Sequence, residues 1–171
     1  MKRLVLMRHA KSSWADPGQA DGERPLNERG RLVAPLMGAW IAERIGRPDH
    51  VIISDARRAV ETWERAARLF DSPPAAVADQ RLYMADPAAL MEVLRAAPAG
   101  AGSVLMIGHQ PGLSGFARRL SGGAVPPHCA EAFAKFPTGA AAVIEFDLDS
   151  WAAIDWGSGR FRHFGVPKQL V

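Results

Sequence analysis

Three apolar runs in this chain end in residues able to hold and attack a phosphoryl group. Residues 4–7 (LVLM) run into Arg8 and His9. Residues 51–53 (VII) run into Ser54, then Asp55, Ala56, Arg57 and Arg58. Residues 104–107 (VLMI) run into Gly108 and His109. Each run is short, apolar and rich in β-branched or bulky residues, the pattern of a buried strand. In an open α/β sheet, ligands bind beyond the carboxyl ends of the parallel strands. Together, three such ends bring two histidines and at least two arginines to one rim.

The chemistry this set suits is phosphoryl transfer. Guanidinium forks match phosphoryl oxygens in geometry and charge. A histidine nitrogen can attack phosphorus to give a covalent intermediate, which water then hydrolyses. The attacking imidazole must be neutral. Its ordinary pKa is about 6.5, and neighbouring arginines disfavour the cation. The second histidine, protonated once phosphate is bound, can donate to a phosphate oxygen. The arrangement requires no metal, and the chain has no HxxxH pair, clustered carboxylates, P-loop or GxGxxG pattern.

The elements that must position these residues alternate. Strands are predicted at 2–8, 49–55, 75–78, 103–108, 139–149 and 159–166. Between the first and second, a polar loop (10–27) leads to a helix with Asn27 as N-cap, Glu28 in its first turn and Gly46 at its end. Its apolar positions are Leu32, Leu36, Ala39, Trp40 and Ile45, and Pro35 implies a kink or a late start. Further helices are predicted at 56–70, from the Asp86-Pro87 start to Arg95, and from 110 to the Gly122-Gly123 stop. The order β, α, β, α, β, α, β, α, β, β implies a three-layer α/β/α fold. Its sheet is mostly parallel with helices on both faces, and the last two strands form an antiparallel edge.

Composition bounds the rest. The 171 residues fit one domain, 1–171. Twenty-one basic against 18 acidic residues give a net charge of +3 without a dense basic run. That suits a small anionic group and argues against nucleic acid. The one cysteine, Cys129, forms no intramolecular disulfide and reads as a partly buried small residue. No apolar stretch reaches membrane-spanning length, and the N-terminal run is too short for a signal segment, so a cytoplasmic protein is expected.

The segments LMRHAKSSW, ERPLNERG, SDARRAVET and IGHQPGLSGFARRL, followed by FPTGAAAVIEFD, together resemble the histidine phosphatase superfamily, with its phosphoglycerate mutase-like fold. Within it they are most similar to the small SixA-type phosphohistidine phosphatases. The resemblance implies Arg8 as a phosphate ligand, His9 as the phosphorylated nucleophile and His109 as the second catalytic histidine. It aligns Arg58, not Arg57, with the family's second arginine. Arg24 matches a substrate-side arginine, with a surface charge as the alternative. Ala15 stands where the mutases have a phosphate-contacting asparagine, so Ser12 or backbone N–H groups substitute.

Ala10 replaces the usual glycine after the first histidine, as in many SixA-like members. Asp79 is the nearest match to the family's general acid, with Arg81 or Tyr83 as other occupants of that place. Phosphohistidine needs a general acid less, because imidazole is a far better leaving group than an alkoxide. The short chain leaves the site open to a protein surface. These features imply hydrolysis of phosphohistidine in a phosphoprotein without a cofactor. The alternatives are a phosphomonoesterase for a small phosphorylated metabolite and a non-catalytic phosphate-binding module. Trp14 is expected to wall the pocket. His50 and His128 are expected at the surface or in structural roles, and His163 in packing.

Overall fold

The computed structural model describes residues 1–170. Six strands form one sheet: β1 (Lys2–Arg8), β2 (His50–Ile53), β3 (Val77–Ala78), β4 (Ser103–Gly108), β5 (Ala141–Phe146) and β6 (Arg160–Gly165). Their order across the sheet is β3-β2-β4-β1-β5-β6. The first four are mutually parallel, β5 runs antiparallel to β1, and β6 antiparallel to β5. Five helices pack on the sheet: α1 (Glu28–Ile45), α2 (Arg57–Ala66), α3 (Pro87–Arg95), α4 (Gly112–Leu120) and α5 (Ala130–Lys135).

The layers follow from alternation along the two central strands, since successive side chains of a strand point to opposite faces. Leu4, Leu6, Val104 and Met106 join one core cluster with α3, α4 and α5 through Leu94, Phe116 and Phe133. Val5, Met7, Leu105 and Ile107 join another with α1 and α2 through Met37, Ile41 and Trp63. A strand buried on both faces reads as a continuous apolar run, as these do. The result is a three-layer α/β/α fold. Among the described residues, no helix is long and apolar enough to cross a membrane.

Helix α1 starts where its cap predicts. The Asn27 side chain accepts a hydrogen bond from the Gly30 N–H at 2.9 Å. The helix continues through Pro35, so no late start occurs. Its buried face differs from the expected one. Val33, Met37, Trp40 and Ile41 are buried, whereas Leu32 is 63% and Leu36 38% exposed. Small residues set this phase. A Cβ on Gly30 would stand 2.2 Å from the Lys11 carbonyl oxygen, and one on Gly38 2.5 Å from that of Ala66. The Gly30–Ala34–Gly38 stripe therefore faces inward, and the leucines beside it turn outward.

Other differences lie at edges. Strand β3 has two residues rather than four, and α2 gives way at Ala67 to a 3₁₀ turn. Helix α5 arises in a segment that reads as a Pro-rich loop. It is anchored by Phe133 and followed by Phe136, both fully buried. Phe161 and Phe164 of β6 pack on these rings although they are three residues apart. A register shift between Val143 and Ile144 permits this and leaves His163 exposed rather than packed.

Candidate active site

The two histidines meet because their strands are adjacent and level. In the β1–β4 register Arg8 lies beside Gly108, and the His9 N–H donates to the Gly108 carbonyl at 3.1 Å. The next residue on each strand end is a histidine, and the ring centroids are 5.2 Å apart.

Hydrogen bonds set the ring nitrogens. His9 Nδ1 lies 2.7 Å from the Ala10 carbonyl oxygen. A carbonyl only accepts, so Nδ1 carries the proton and Nε2 keeps its lone pair. The turn after His9 is pinned by Thr62, whose Oγ1 accepts from the Ala10 N–H at 3.0 Å and donates to the Arg58 carbonyl at 2.7 Å. His109 Nε2 lies 2.8 Å from Ser54 Oγ, at the tip of β2, and Nδ1 faces Arg58. Arg58, in the first turn of α2, stands between the rings: its Nε is 3.4 Å from His9 Nε2, and its Nη2 is 3.4 Å from His109 Nδ1.

Both imidazoles are held neutral. Burial lowers the His9 pKa to about 3, and the charges of His109, Arg58 and Arg8 reinforce the shift against the opposing Ala10 hydrogen bond. His109 is lowered to about 4, by burial first and Arg58 next, with Asp21 opposing. Desolvation thus contributes more than the neighbouring arginines do. Arg8 donates through Nη1 to the Phe136 carbonyl at 3.1 Å, while its buried Nε has no hydrogen-bond partner among the described residues. Its own pKa is lowered by burial and by the Arg58 charge. Two guanidinium groups under mutual repulsion favour an anion between them.

All six residues singled out in the sequence, Arg8, His9, Ser12, Arg24, Arg58 and His109, line one cavity of about 260 Å³. Arg24 is buried, only 4% exposed, and lies over the Trp14 ring, so it is not a surface charge. Trp14 is itself exposed and walls the cavity. Arg57 points outward and pairs with Glu61 at 2.9 Å. Asp79 caps a short turn and pairs with Arg81 at 2.7 Å, away from the cavity lining. Of that trio Tyr83 reaches the site: it meets the His109 ring edge-on and donates its hydroxyl to Asp21.

Asp21 escapes the sequence reading. Its carbonyl accepts from Arg58 Nη1 at 2.8 Å, its carboxylate accepts from Nη2 at 3.0 Å, and Arg24 Nε lies 3.4 Å away. The Tyr83 hydrogen bond and these arginines hold its carboxyl below the usual carboxylate range. Its only mark in the sequence is a place three residues before Arg24 in a polar loop. Met84 lines the cavity without any local signal, whereas Gln110 and Thr138 line it from within the IGHQPG and FPTG segments. Among the described residues, no three His, Cys, Asp or Glu side chains group as a metal site.

An α/β sheet thus gathers two buried histidines and an arginine cluster at the ends of its parallel strands. Residues 4–82 match the family model of the histidine phosphatase superfamily (branch 1). The chain belongs to that superfamily and is a phosphatase-type hydrolase.

The uncharacterized protein Rv1276c of Mycobacterium tuberculosis is 35% identical over 167 residues, 95% of this chain and 100% of the relative. A Nakamurella multipartitia structure provisionally named phosphohistidine phosphatase SixA superposes with a TM-score of 0.83 and 25% identity, covering 97% of this chain and 96% of that one. The protein histidine phosphatase SixA complexed with tungstate gives 0.80 and 26%, covering 99% of each chain. The Plasmodium falciparum phosphoglycerate mutase, at 19% identity and a TM-score of 0.63 over 96% of this chain and 90% of its own, shares the fold.

Proposed function

We propose that the protein hydrolyses phosphohistidine on a phosphoprotein, without a metal, through a phosphoenzyme on His9. The observation that carries the reading is the buried His9–Arg58–His109 arrangement. It keeps a lone pair on His9 Nε2 beside a guanidinium able to hold the phosphoryl oxygens. His9 Nε2 attacks phosphorus, and the P–N bond to the substrate imidazole breaks. That imidazole leaves with a proton from solvent. Water then attacks the phosphoenzyme, its proton is lost to bulk, and inorganic phosphate departs with His9 restored. Arg8 and Arg58 hold the equatorial oxygens in both steps, Arg24 and Ser12 contact the substrate side, and His109 Nδ1, protonated while phosphate is bound, donates to an oxygen.

Two further points support a protein substrate. Exposed Trp14 and Met84 line the cavity and exposed Tyr83 packs beside it against His109 and Asp21, and aromatic and Met side chains are enriched where proteins meet. A structural neighbour is described as the protein histidine phosphatase SixA complexed with tungstate, an oxyanion of phosphate-like shape, in keeping with a protein substrate and an oxyanion-binding site. The test is an activity panel without added metal and with chelator. Phosphohistidine protein should lose phosphate faster than sugar or alkyl phosphates, and mass spectrometry should find acid-labile phosphate on His9. Preference for the esters, or phosphorylation elsewhere, would sink the reading.

A further inference from the structure

A second cavity, of about 550 Å³, adjoins the first and shares Lys11 and Thr138 with it. Its floor is apolar: Val33 of α1 and, just beyond β6, Val166 and Pro167 are buried. Its walls carry exposed Lys11, Arg29, Lys135 and Lys168. These come from four separate segments: the turn after β1, the first turn of α1, the end of α5 and the C-terminal turn. One carboxylate, Glu131, also faces the cavity, 3.7 Å from Lys135. Four cations against one acid leave a positive field over an apolar trough. The proposed phosphoryl chemistry uses none of these groups.

We infer that this trough binds an acidic segment flanking the phosphohistidine of the substrate protein. The inference rests on the proposed phosphohistidine activity and extends it to a substrate class. A ligand with its phosphoryl group at His9 has Lys11 and Thr138 beside it, so the chain on that side continues into the trough. Aliphatic parts of an extended segment cover Val33, Val166 and Pro167, while Asp and Glu side chains reach the four cations at the rim. Complementary charge of this kind selects partners and speeds encounter, and salt weakens it.

The test compares two phosphohistidine peptides of equal length, one flanked by Asp and Glu, the other by Ser and Gly. The wild-type protein is set beside the double variant Arg29→Glu, Lys135→Gln. Neither position lies in the phosphate cavity, and a glutamate in the first turn of α1 suits the helix dipole, so the fold should persist. Turnover of p-nitrophenyl phosphate should match wild type, which checks the catalytic centre. The wild type should show a KM about tenfold lower for the acidic peptide at low salt, shrinking as ionic strength rises. The double variant should lose that preference and keep the neutral peptide's KM. A preference that survives the double variant, or no preference in wild type, overturns the inference. So does an Arg29 dependence seen only with a small ester bearing a second anionic group, which would assign the trough to a metabolite. If neither peptide is hydrolysed while p-nitrophenyl phosphate is, the proposed substrate class itself fails, a result distinct from loss of the charge preference.

Discussion

The site is built from two regions of opposite character. Its base is a buried cluster: His9 and His109 at the ends of adjacent parallel strands, and Arg58 in the first turn of α2. Its rim is Trp14, Asp21, Tyr83 and Met84, exposed and carried by loops. At the base, burial shapes the chemistry, holding two imidazoles neutral and leaving positive guanidinium groups without full compensation. At the rim, water screens each charge, and the side chains present contact surface. The contrast teaches that rate should reside in the base and substrate choice in the rim. Substitutions in each region test this division of labour.

The largest effect should come from His9→Ala. Loss of the nucleophile should lower kcat by about 10⁴-fold or more, as for other covalent catalysts. Phosphate release from a phosphohistidine protein measures the loss, and mass spectrometry should show no phosphoenzyme. A variant retaining a tenth of wild-type activity would move the nucleophile elsewhere.

Arg57 and Arg58 give a sharper contrast because they are adjacent in sequence and differ only in where the helix points them. Arg58→Ala should cost about 10²–10³-fold in kcat/KM, the scale of a lost oxyanion donor. Arg58→Lys should recover only part of it, since an ammonium lacks the fork. Arg57→Ala removes an exposed pair with Glu61, and its effect should be within about twofold. Equal losses at both positions would mean that α2 acts by charge alone.

The two regions also differed in how well they could be read from sequence. The base was legible because a strand that ends in Arg-His or Gly-His breaks a simple apolar pattern, and because parallel strands align their ends. The rim was not. The loop over residues 10–27 has no period, so Asp21 carries no mark beyond its closeness to Arg24. Asp79, the nearest carboxylate to the family's general-acid place, is drawn away by Arg81, and Tyr83 takes the place beside His109. The layers and the antiparallel last pair follow from strand patterns, whereas the order of strands across the sheet and the phase of α1 do not. Large apolar residues suggest Leu32 and Leu36 as the buried face, but close approach of Gly30 and Gly38 to neighbouring backbone turns the helix the other way. Helix α5 is short, preceded by two prolines, and held by tertiary packing of Phe133, which no local propensity foretells.

The neutral histidines predict a pH dependence of stability. Their folded pKa values, about 3 for His9 and about 4 for His109, lie below the ordinary imidazole value. Between these values and about 6.5 the unfolded chain binds more protons, so stability is full above that range and falls as pH drops through it. At pH 4.5 each histidine should cost on the order of 2–3 kcal/mol relative to pH 7. Urea midpoints at the two pH values measure this, and His109→Gln should flatten the slope by roughly its share. A slope unchanged by that substitution would place the titration outside the base.

The smallest effect, and the one that best probes the boundary between the regions, is expected for Asp21→Asn. The Asp21 carboxylate is about half exposed, with a side-chain exposure of 49% in its pair with Arg58. Exposed pairs contribute about 0–1 kcal/mol, so Arg58 should not be released. An amide oxygen still accepts from Nη2, and the backbone carbonyl of residue 21 still accepts from Nη1. What disappears is a negative charge next to the guanidinium that an incoming oxyanion must share. Inhibition by inorganic phosphate or tungstate should tighten about two- to fivefold, with kcat for p-nitrophenyl phosphate nearly unchanged. Weaker inhibition together with a lower kcat would show that the Asp21 charge organises Arg58. Asp21 would then belong to the buried machinery despite its exposed side chain, and the division between base and rim would have to be drawn one residue further out.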